Sequence, residues 1–193
     1  VQTARLLEIN HPDFERIIRL YFQTVYPIDG ISQIILVCEL MGKHSNLILI
    51  NPQNNIILDS ARRLGTDTSS YRQVLPGLTY IVPPPQDKVS LMDLTEEQMV
   101  GFFVEAPANM SLKKILLNNI AGFGPQTAAE IIHRSGINPD ERVDFLGEYD
   151  YSRIWQQILW LRDIIERKAY EPTIVSDGRK TIAFAPFRLE QFS

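Results

Sequence analysis

The sequence has few of the features that mark secreted, membrane-spanning or metal-binding proteins. Its 193 residues include one cysteine, Cys38, which excludes an internal disulfide and favours a reducing, cytoplasmic compartment. No apolar run approaches the roughly 20 residues that a membrane-spanning helix needs. The three histidines, His11, His44 and His133, lie far apart and give no metal-ligand spacing. We therefore expect no metal and no cofactor.

Signatures of catalysis are also missing. Gly42 and Lys43 are followed by His44, so this stretch lacks the Ser or Thr and the upstream glycine of a phosphate-binding P-loop. Neither Cys38 nor any serine lies in a local pattern that pairs a nucleophile with a base. We expect a protein that is not an enzyme.

Charge is unevenly distributed along the chain. The net charge is −4; residues 1–88 carry eight basic and eight acidic side chains, whereas the remainder carries 11 and 15. This balance argues against a protein that coats nucleic acid non-specifically, but it is compatible with a local basic site. An anionic partner is expected to contact the first half, or an exceptional basic patch in the second.

Short β-rich runs alternate with turns in the first half, which predicts an antiparallel sheet. In the second of these runs Ile18, Leu20 and Phe22 alternate with polar residues, so we expect them to face the core. By the same alternation Leu40 is expected to be buried. The predicted strands are 5–9, 17–23, 34–40, 47–50 and 56–58, separated by turns at 11–13, 27–30 and 51–55 and followed by a polar loop at 65–70.

The second half has helical patterns that begin after three prolines at 83–85. Thr95 with Gln98 predicts a capping box, and Ser111 is expected to open another helix. A glycine-rich turn at 122–124 then leads into a helix starting at Pro125, which together form a helix-hairpin-helix. Residues 150–169 read as an amphipathic helix, and residues 173–184 as a β-hairpin.

The predicted fold class is therefore α+β. It comprises a β-rich domain at 1–88, a helical domain at 89–170 with its helix-hairpin-helix at 111–136, and a C-terminal β-hairpin within 171–193.

The stretch 39–46, Glu-Leu-Met-Gly-Lys-His-Ser-Asn, joins two β-rich runs. Gly42 permits the chain to reverse, so that Lys43, His44 and Asn46 project as donors from the rim of a sheet. These side chains are candidates for contact with RNA or the ribosome. Alternatively, the stretch is a well-capped hairpin in which Ser45 and Asn46 satisfy the backbone of the turn.

The helix-hairpin-helix also carries a small basic patch. Its turn, at Gly122 and Gly124, exposes N–H groups that suit a phosphate. Alternatively the motif is a packing module, since acidic residues follow it closely. The basic residues are Lys113, Lys114, His133 and Arg134, and the acidic ones are Glu130, Asp140, Glu141 and Asp144.

Several segments together resemble the NFACT family. They are residues 39–49, residues 57–63, the Tyr71-Arg72 to Leu75-Pro76-Gly77 stretch, Tyr80, Pro83-Pro84, Gln86 and Lys88. The resemblance implies a sheet domain similar to the N-terminal domain of formamidopyrimidine-type DNA glycosylases, to which the C-terminal hairpin returns. Family members begin with a further β-rich stretch and continue into other modules. A chain that starts at Val1 is thus expected to be a fragment, with those modules as partners.

The resemblance also implies roles for individual residues. In quality-control members an acidic residue followed by Arg is implicated in tRNA recognition, and Glu15 and Arg16 match it, although the usual acid is Asp. The other interpretation of this pair is a surface ion pair. Glu39, Leu40 and Met41 match a segment implicated in large-subunit function. Arg72 and Lys88 are candidate phosphate contacts, with Arg72 alternatively tying its loop to the sheet.

The expected function is accordingly a non-catalytic RNA- and ribosome-binding fragment that binds stalled large ribosomal subunits and tRNA to support tailing of nascent chains. A second hypothesis is a cell-surface adhesin that binds fibronectin, as the family's older name implies. A third is a nucleic-acid glycosylase; those enzymes use an N-terminal proline, which Val1 is not.

Overall fold

The computed structural model describes residues 3–12, 14–28, 31–67, 71–138 and 141–192, with the backbone alone described at 25–28 and 31. Contacts divide the chain into two compact units, Val1–Pro85 and Gln86–Ser193. Some residues of the predicted turns, loop and acidic cluster lie outside the described part of the chain, namely Asp13, Asp29, Gly30, residues 68–70 and Asp140.

The first unit is built on a five-stranded antiparallel sheet, in which each strand pairs with its neighbour in sequence. This confirms the predicted α+β class and antiparallel sheet. Short connections of two to six residues make this order the simplest one available. The strands are β1 (Arg5–Asn10), β2 (Ile17–Ile28), β3 (Ile31–Glu39), β4 (Asn46–Asn51) and β5 (Ile56–Ser60).

One face of this sheet packs into the core of the unit. Cross-strand partners share a face, and the rows Arg19–Val37–Ile48 and Tyr21–Ile35–Ile50 lie on the core side. The prediction that Ile18, Leu20 and Phe22 face this core is wrong, because they lie on the opposite side of β2 and are only half-buried. Leu40 is likewise not buried but 51% exposed. The buried cluster comprises Ile17, Ile35, Val37, Ile48, Ile50, Ile57, Val74 and Tyr80.

The opposite face of the sheet is also apolar. A row of paired side chains crosses four strands there: Ile9, Leu20, Leu36 and Leu49. Its outer member, Ile9, is 62% exposed. With apolar residues on both sides, alternation in the sequence does not indicate which side is the core.

The second unit is mainly helical, and its element boundaries follow local signals. The capping box predicted at Thr95 and Gln98 is present, with both reciprocal hydrogen bonds at 3.0 and 3.2 Å. Gly122 has φ +87, a conformation that favours glycine, and it allows the tight turn before Pro125. The helices are α1 (Glu96–Val104), α2 (Leu112–Asn119), α3 (Pro125–Arg134) and α4 (Glu148–Glu166); the strands β6 (Val89–Ser90) and β7 (Ile120–Ala121) pair in parallel.

Apolar side chains from all four helices form the core of this unit, including Phe103, Leu116, Ile131 and Ile158. Arg162 of α4 donates from Nε to the carbonyl of Leu91, at 2.6 Å, and its guanidinium also bonds the carbonyl of Leu94. Among the described residues, no helix combines the length and the apolar character that a bilayer crossing demands.

The C-terminal hairpin differs from its prediction. Its strands β8 (Thr173–Asp177) and β9 (Lys180–Ala185) form a two-stranded sheet of their own and, within the described residues, do not join the five-stranded sheet. The physical reason is burial, because Ala183 and Ala185 are buried and Phe187 packs edge-on against Trp160 of α4, with ring centroids 5.6 Å apart. The hairpin therefore belongs to the second unit.

The capping box gives a test of local stability in the second unit. We expect Thr95→Ala to lower the free energy of unfolding by about 1 kcal/mol, because the N–H of Gln98 loses its acceptor. Ser111→Ala is a matched control, since Ser111 occupies the same position at α2 but makes no side-chain cap. Urea unfolding followed by circular dichroism measures both. Equal losses in the two variants would show that the capping box contributes nothing.

Candidate nucleic-acid interface

A buried carboxylate lies at the end of β3. Glu39 is on the core side of the sheet, in a row with Ile17 and Asn46, and it is fully buried. Arg72 approaches it as a fork, with Nη1 donating to Oε1 and Nη2 to Oε2, both at 2.6 Å. The hydroxyl of Tyr80 donates to the same Oε1 at 2.9 Å. We call Glu39, Arg72 and Tyr80 the buried clamp.

The electrostatics of the buried clamp keep Arg72 charged and Tyr80 protonated. Burial lowers the pKa of Arg72, but the hydrogen bonds and the charge of Glu39 outweigh it and raise that pKa overall, so the guanidinium stays charged. Burial, and then the charge and hydrogen bond of Glu39, raise the pKa of the Tyr80 phenol above its usual value. Its hydroxyl therefore remains a donor. A second bond from Arg72 Nη1, to the carbonyl of Ile81 at 2.8 Å, extends the clamp to the following segment.

Two of the predicted contact residues are thus engaged inside the first unit. Only 8% of the Arg72 side chain is exposed, and none of the Glu39 side chain. Arg72 is not placed to contact a phosphate; it ties its loop to the sheet, the alternative that the sequence left open. Met41 is half-buried against the core cluster, which leaves Leu40 as the exposed member of the predicted large-subunit segment.

The start of β2 and the end of β3 meet at one edge of the sheet. The N–H of Leu40 donates to the carbonyl of Arg16 at 2.7 Å, so Arg16 and the stretch that follows Glu39 are neighbours. The side chain of Arg16 is exposed and that of Glu15 half-buried. Within the described residues neither side chain has a hydrogen bond or ion pair, which does not match the surface ion pair considered as the alternative.

The connection from β3 to β4 is a single 3₁₀ turn, Gly42–His44. Gly42 takes φ +58, which a side chain would strain, and the hydroxyl of Ser45 accepts the N–H of Met41 at 3.0 Å. Because the turn closes on its own backbone, Lys43 and His44 are left exposed.

Asn46 has a structural position instead. It is buried, and its amide both donates to the carbonyl and accepts from the N–H of Arg62, each at 2.9 Å. It therefore ties β4 to the segment after β5 and is not placed as an RNA contact. This is the capped-hairpin alternative for Asn46.

Arg62 is a residue that the sequence analysis missed. Its side chain is exposed, and its guanidinium bonds the carbonyl of Lys43, which brings a further positive charge to the same edge. The motif that carried the family resemblance contained Arg62, but nothing in it indicated this contact with a turn 19 residues earlier. We call Arg16, Lys43, His44 and Arg62 the basic rim.

The remaining predicted residues lie in the second unit. Lys88 is half-buried, and its N–H bonds the carbonyl of Gln86 at 2.9 Å. Lys113 is half-buried on α2, and Lys114 beside it is exposed. Gly124 precedes α3 with ordinary extended backbone, φ −104.

Arg134, the last predicted phosphate contact, is 13% exposed and bonds to groups within the second unit. It bonds Glu130 at 2.7 Å and Glu190 at 3.0 Å, and its guanidinium lies 3.9 Å from the ring centre of Trp160. Glu130 is buried and also accepts the N–H groups of Glu190 and Gln191. At Arg134 the packing alternative for the helix-hairpin-helix fits better than phosphate binding.

The described residues bring together no cluster of three or more His, Cys, Asp or Glu side chains that would hold a metal ion. Cys38 is half-buried on the outer face of the sheet, and burial raises the pKa of its thiol.

The buried clamp predicts a large effect of a single substitution. We expect Arg72→Ala to lower the free energy of unfolding by about 3–5 kcal/mol, because the charge of Glu39 loses its buried partner. Arg63→Ala is the control: its ion pair with Asp59 is two-thirds exposed, and its loss should cost at most about 1 kcal/mol. Urea unfolding measures both. Similar small losses would show that the clamp does not stabilise the unit.

Comparison with known proteins identifies a family and a relative that this chain resembles. A model of the NFACT N-terminal and middle domains matches residues 1–193. The Rqc2 homolog RqcH of Streptococcus suis (strain 05ZYH33) is 31% identical over 150 residues, which cover 78% of this chain and 26% of that protein. The chain thus spans about a quarter of the length of that relative.

Two further comparisons concern the fold. The crystal structure of the fibrinogen binding protein from Staphylococcus aureus matches with a TM-score of 0.73 at 24% identity, covering 97% of this chain and 63% of that one. The formamidopyrimidine-DNA glycosylase of Geobacter metallireducens is 23% identical over 156 residues, 78% of this chain and 55% of that protein. These similarities confirm the predicted glycosylase-like α+β architecture. The match over residues 1–193 and the relative from Streptococcus suis show the family: the chain belongs to the NFACT family.

Proposed function

We propose that this chain is a non-catalytic, cytoplasmic RNA-binding module of a ribosome-quality-control factor, which contacts tRNA and the large ribosomal subunit. The observation that carries the proposal is the basic rim. Its side chains are exposed at one edge of the sheet. The N–H of Leu40 donates to the carbonyl of Arg16, and the guanidinium of Arg62 donates to the carbonyl of Lys43.

The chemistry of the basic rim suits an RNA backbone. Exposed Arg and Lys side chains bind phosphates without reading sequence, and they supply most of the affinity for a polyanion. The guanidinium of Arg62 donates one hydrogen bond to the carbonyl of Lys43 and has further N–H groups for a phosphate. The rim also lies beside the buried clamp, since Glu39 adjoins Leu40, so its backbone is held in place before RNA arrives.

Family membership supports this reading over an enzymatic one. The relative from Streptococcus suis is called an Rqc2 homolog RqcH, a ribosome-quality-control name. We propose that the quality-control role extends to this chain, with tRNA and the stalled large subunit as its partners and tailing of nascent chains as the outcome in the whole protein. Glu15, Arg16 and Leu40 are the residues we assign to these contacts, together with the rest of the basic rim.

A second candidate is an adhesin that binds fibronectin or fibrinogen. It is favoured by the name of the structural neighbour from Staphylococcus aureus, a fibrinogen binding protein. That neighbour is 24% identical and carries information on the fold only, so the adhesin remains the weaker proposal.

Salt-dependent RNA binding tests the leading proposal. We expect Arg16→Ala to weaken tRNA binding about tenfold and to reduce the slope of log affinity against log salt by about 1, because one phosphate contact is lost. The carbonyl that Arg16 offers to Leu40 belongs to the backbone, so the fold is retained. The measurement is a tRNA titration at two chloride concentrations.

Arg179→Ala provides the matched control. Arg179 is exposed in the turn between β8 and β9 of the other unit, so removing it changes net charge equally. Equal weakening in both variants would contradict a local site at the basic rim. Absence of tRNA binding together with saturable binding to fibronectin, titrated in parallel, would favour the adhesin instead.

A further inference from the structure

A cavity of about 500 Å³ lies beside the buried clamp in the first unit. Arg72 forms part of its wall, and the other residues that line it were not predicted to bind RNA. Its remaining lining combines an aromatic side chain and two aliphatic ones with three neutral polar ones. These residues are Tyr71, Leu78, Ile81, Thr66, Gln73 and Thr79.

The apolar part of this wall is open to solvent. Tyr71 is 54% exposed, Leu78 39% and Ile81 47%. An aromatic ring next to aliphatic side chains in a concave surface favours a flat, largely apolar ligand. The amide of Gln73 and the hydroxyl groups of the threonines supply donors and acceptors for the edge of such a ligand.

The 78–81 side of the wall is held in place by hydrogen bonds. The N–H of Ile57 donates to the carbonyl of Leu78 at 2.8 Å, and that of Tyr80 to the carbonyl of Asn55 at 2.8 Å, so this segment is fastened to β5. Arg72 holds the carbonyl of Ile81 at 2.8 Å while its guanidinium is fixed by Glu39. On this side of the cavity a ligand meets a preformed surface and loses little affinity to ordering it.

The cavity and the basic rim are joined through one short pairing. Leu64 and Val74 exchange backbone hydrogen bonds of 3.1 and 2.9 Å. Arg62 of the rim lies two residues before Leu64, and Gln73 of the cavity directly precedes Val74. One short pairing therefore links Arg62 of the rim to Gln73 of the cavity wall along the backbone.

We propose that this cavity receives one unpaired nucleobase of the RNA, which stacks on Tyr71 while the basic rim holds the adjoining phosphates. The inference rests on the proposed RNA-binding function and adds to it a preference for RNA with unpaired bases. Paired bases are stacked inside a duplex and do not reach such a pocket, whereas bases of loops and single strands stack readily on aromatic side chains.

Substitution of Tyr71 tests the stacking contact with two RNA probes, tRNA and a blunt-ended RNA duplex. We expect Tyr71→Ala to weaken tRNA binding about tenfold with an unchanged salt slope, because the ring contacts a base and not a phosphate. Tyr71→Phe retains the ring and should bind within about twofold of the unaltered chain. Duplex binding should be weakened by Arg16→Ala and unaffected by Tyr71→Ala.

A second variant and a fluorescence measurement on the unaltered chain distinguish loss of stacking from loss of folding. Tyr71→Leu keeps apolar bulk without a ring and should behave like Tyr71→Ala. On the unaltered 193-residue chain, a single-stranded RNA oligonucleotide that carries 2-aminopurine should lose fluorescence on binding, because stacking on an aromatic ring quenches that base.

The outcomes separate this inference from the proposed function. If the unaltered chain binds tRNA and Tyr71→Ala binds it equally well, the cavity assignment is overturned and the basic rim is not. The same follows if Tyr71→Ala weakens duplex binding as strongly as tRNA binding, or lowers the salt slope. If the unaltered chain binds neither RNA at either salt concentration, the proposed function fails and the inference fails with it.

Discussion

The first unit depends on one buried ion pair, in which both oxygens of the Glu39 carboxylate accept hydrogen bonds from the guanidinium of Arg72. Burying a carboxylate destabilises a fold unless hydrogen bonds compensate it, and here two guanidinium donors and the Tyr80 hydroxyl bond to its oxygens. The ion pair therefore also positions neighbouring segments of the chain. It holds the end of β3, the segment around Arg72 and the carbonyl of Ile81 in one arrangement.

Within the stretch 39–46, some polar side chains bond inside the fold and others face solvent. Glu39, Asn46 and Ser45 use their polar atoms inside the fold, whereas Lys43 and His44 between them face solvent. Not every polar residue of such a motif is therefore available to a partner. Those that bond inside the fold position the exposed ones that can bind. The same division recurs in the helix-hairpin-helix, where Arg134 is engaged internally and Lys114 is exposed.

Much of the fold could be predicted from local patterns, because strands, caps and tight turns are set by a few consecutive residues. The antiparallel strands, the capping box at Thr95 and the start of α3 at Pro125 were all found in this way. The orientation of β2 and β3 could not be predicted, since both sides of the sheet are apolar and alternation then has two solutions. That error placed Leu40 in the core.

The candidate site was harder to predict than the fold, for a different reason. Its deciding interactions join residues that are distant in sequence: Glu39 with Arg72, Asn46 with Arg62, and Lys43 with Arg62. Motifs in the sequence identified the region, but not which polar side chains are satisfied internally. The position of the C-terminal hairpin failed similarly, because it is decided by burial of Ala183 and by the packing of Phe187 on Trp160.

The meander order of the sheet has a consequence for folding kinetics. Each strand pairs with the next one along the chain, so every sheet contact closes a short loop, whereas Glu39 is separated from Arg72 by 33 residues and from Tyr80 by 41. Short loops close first because they lose less chain entropy. We expect the sheet to assemble before the ion pair between Glu39 and Arg72 forms. The ion pair should then leave the folding rate nearly unchanged and slow unfolding.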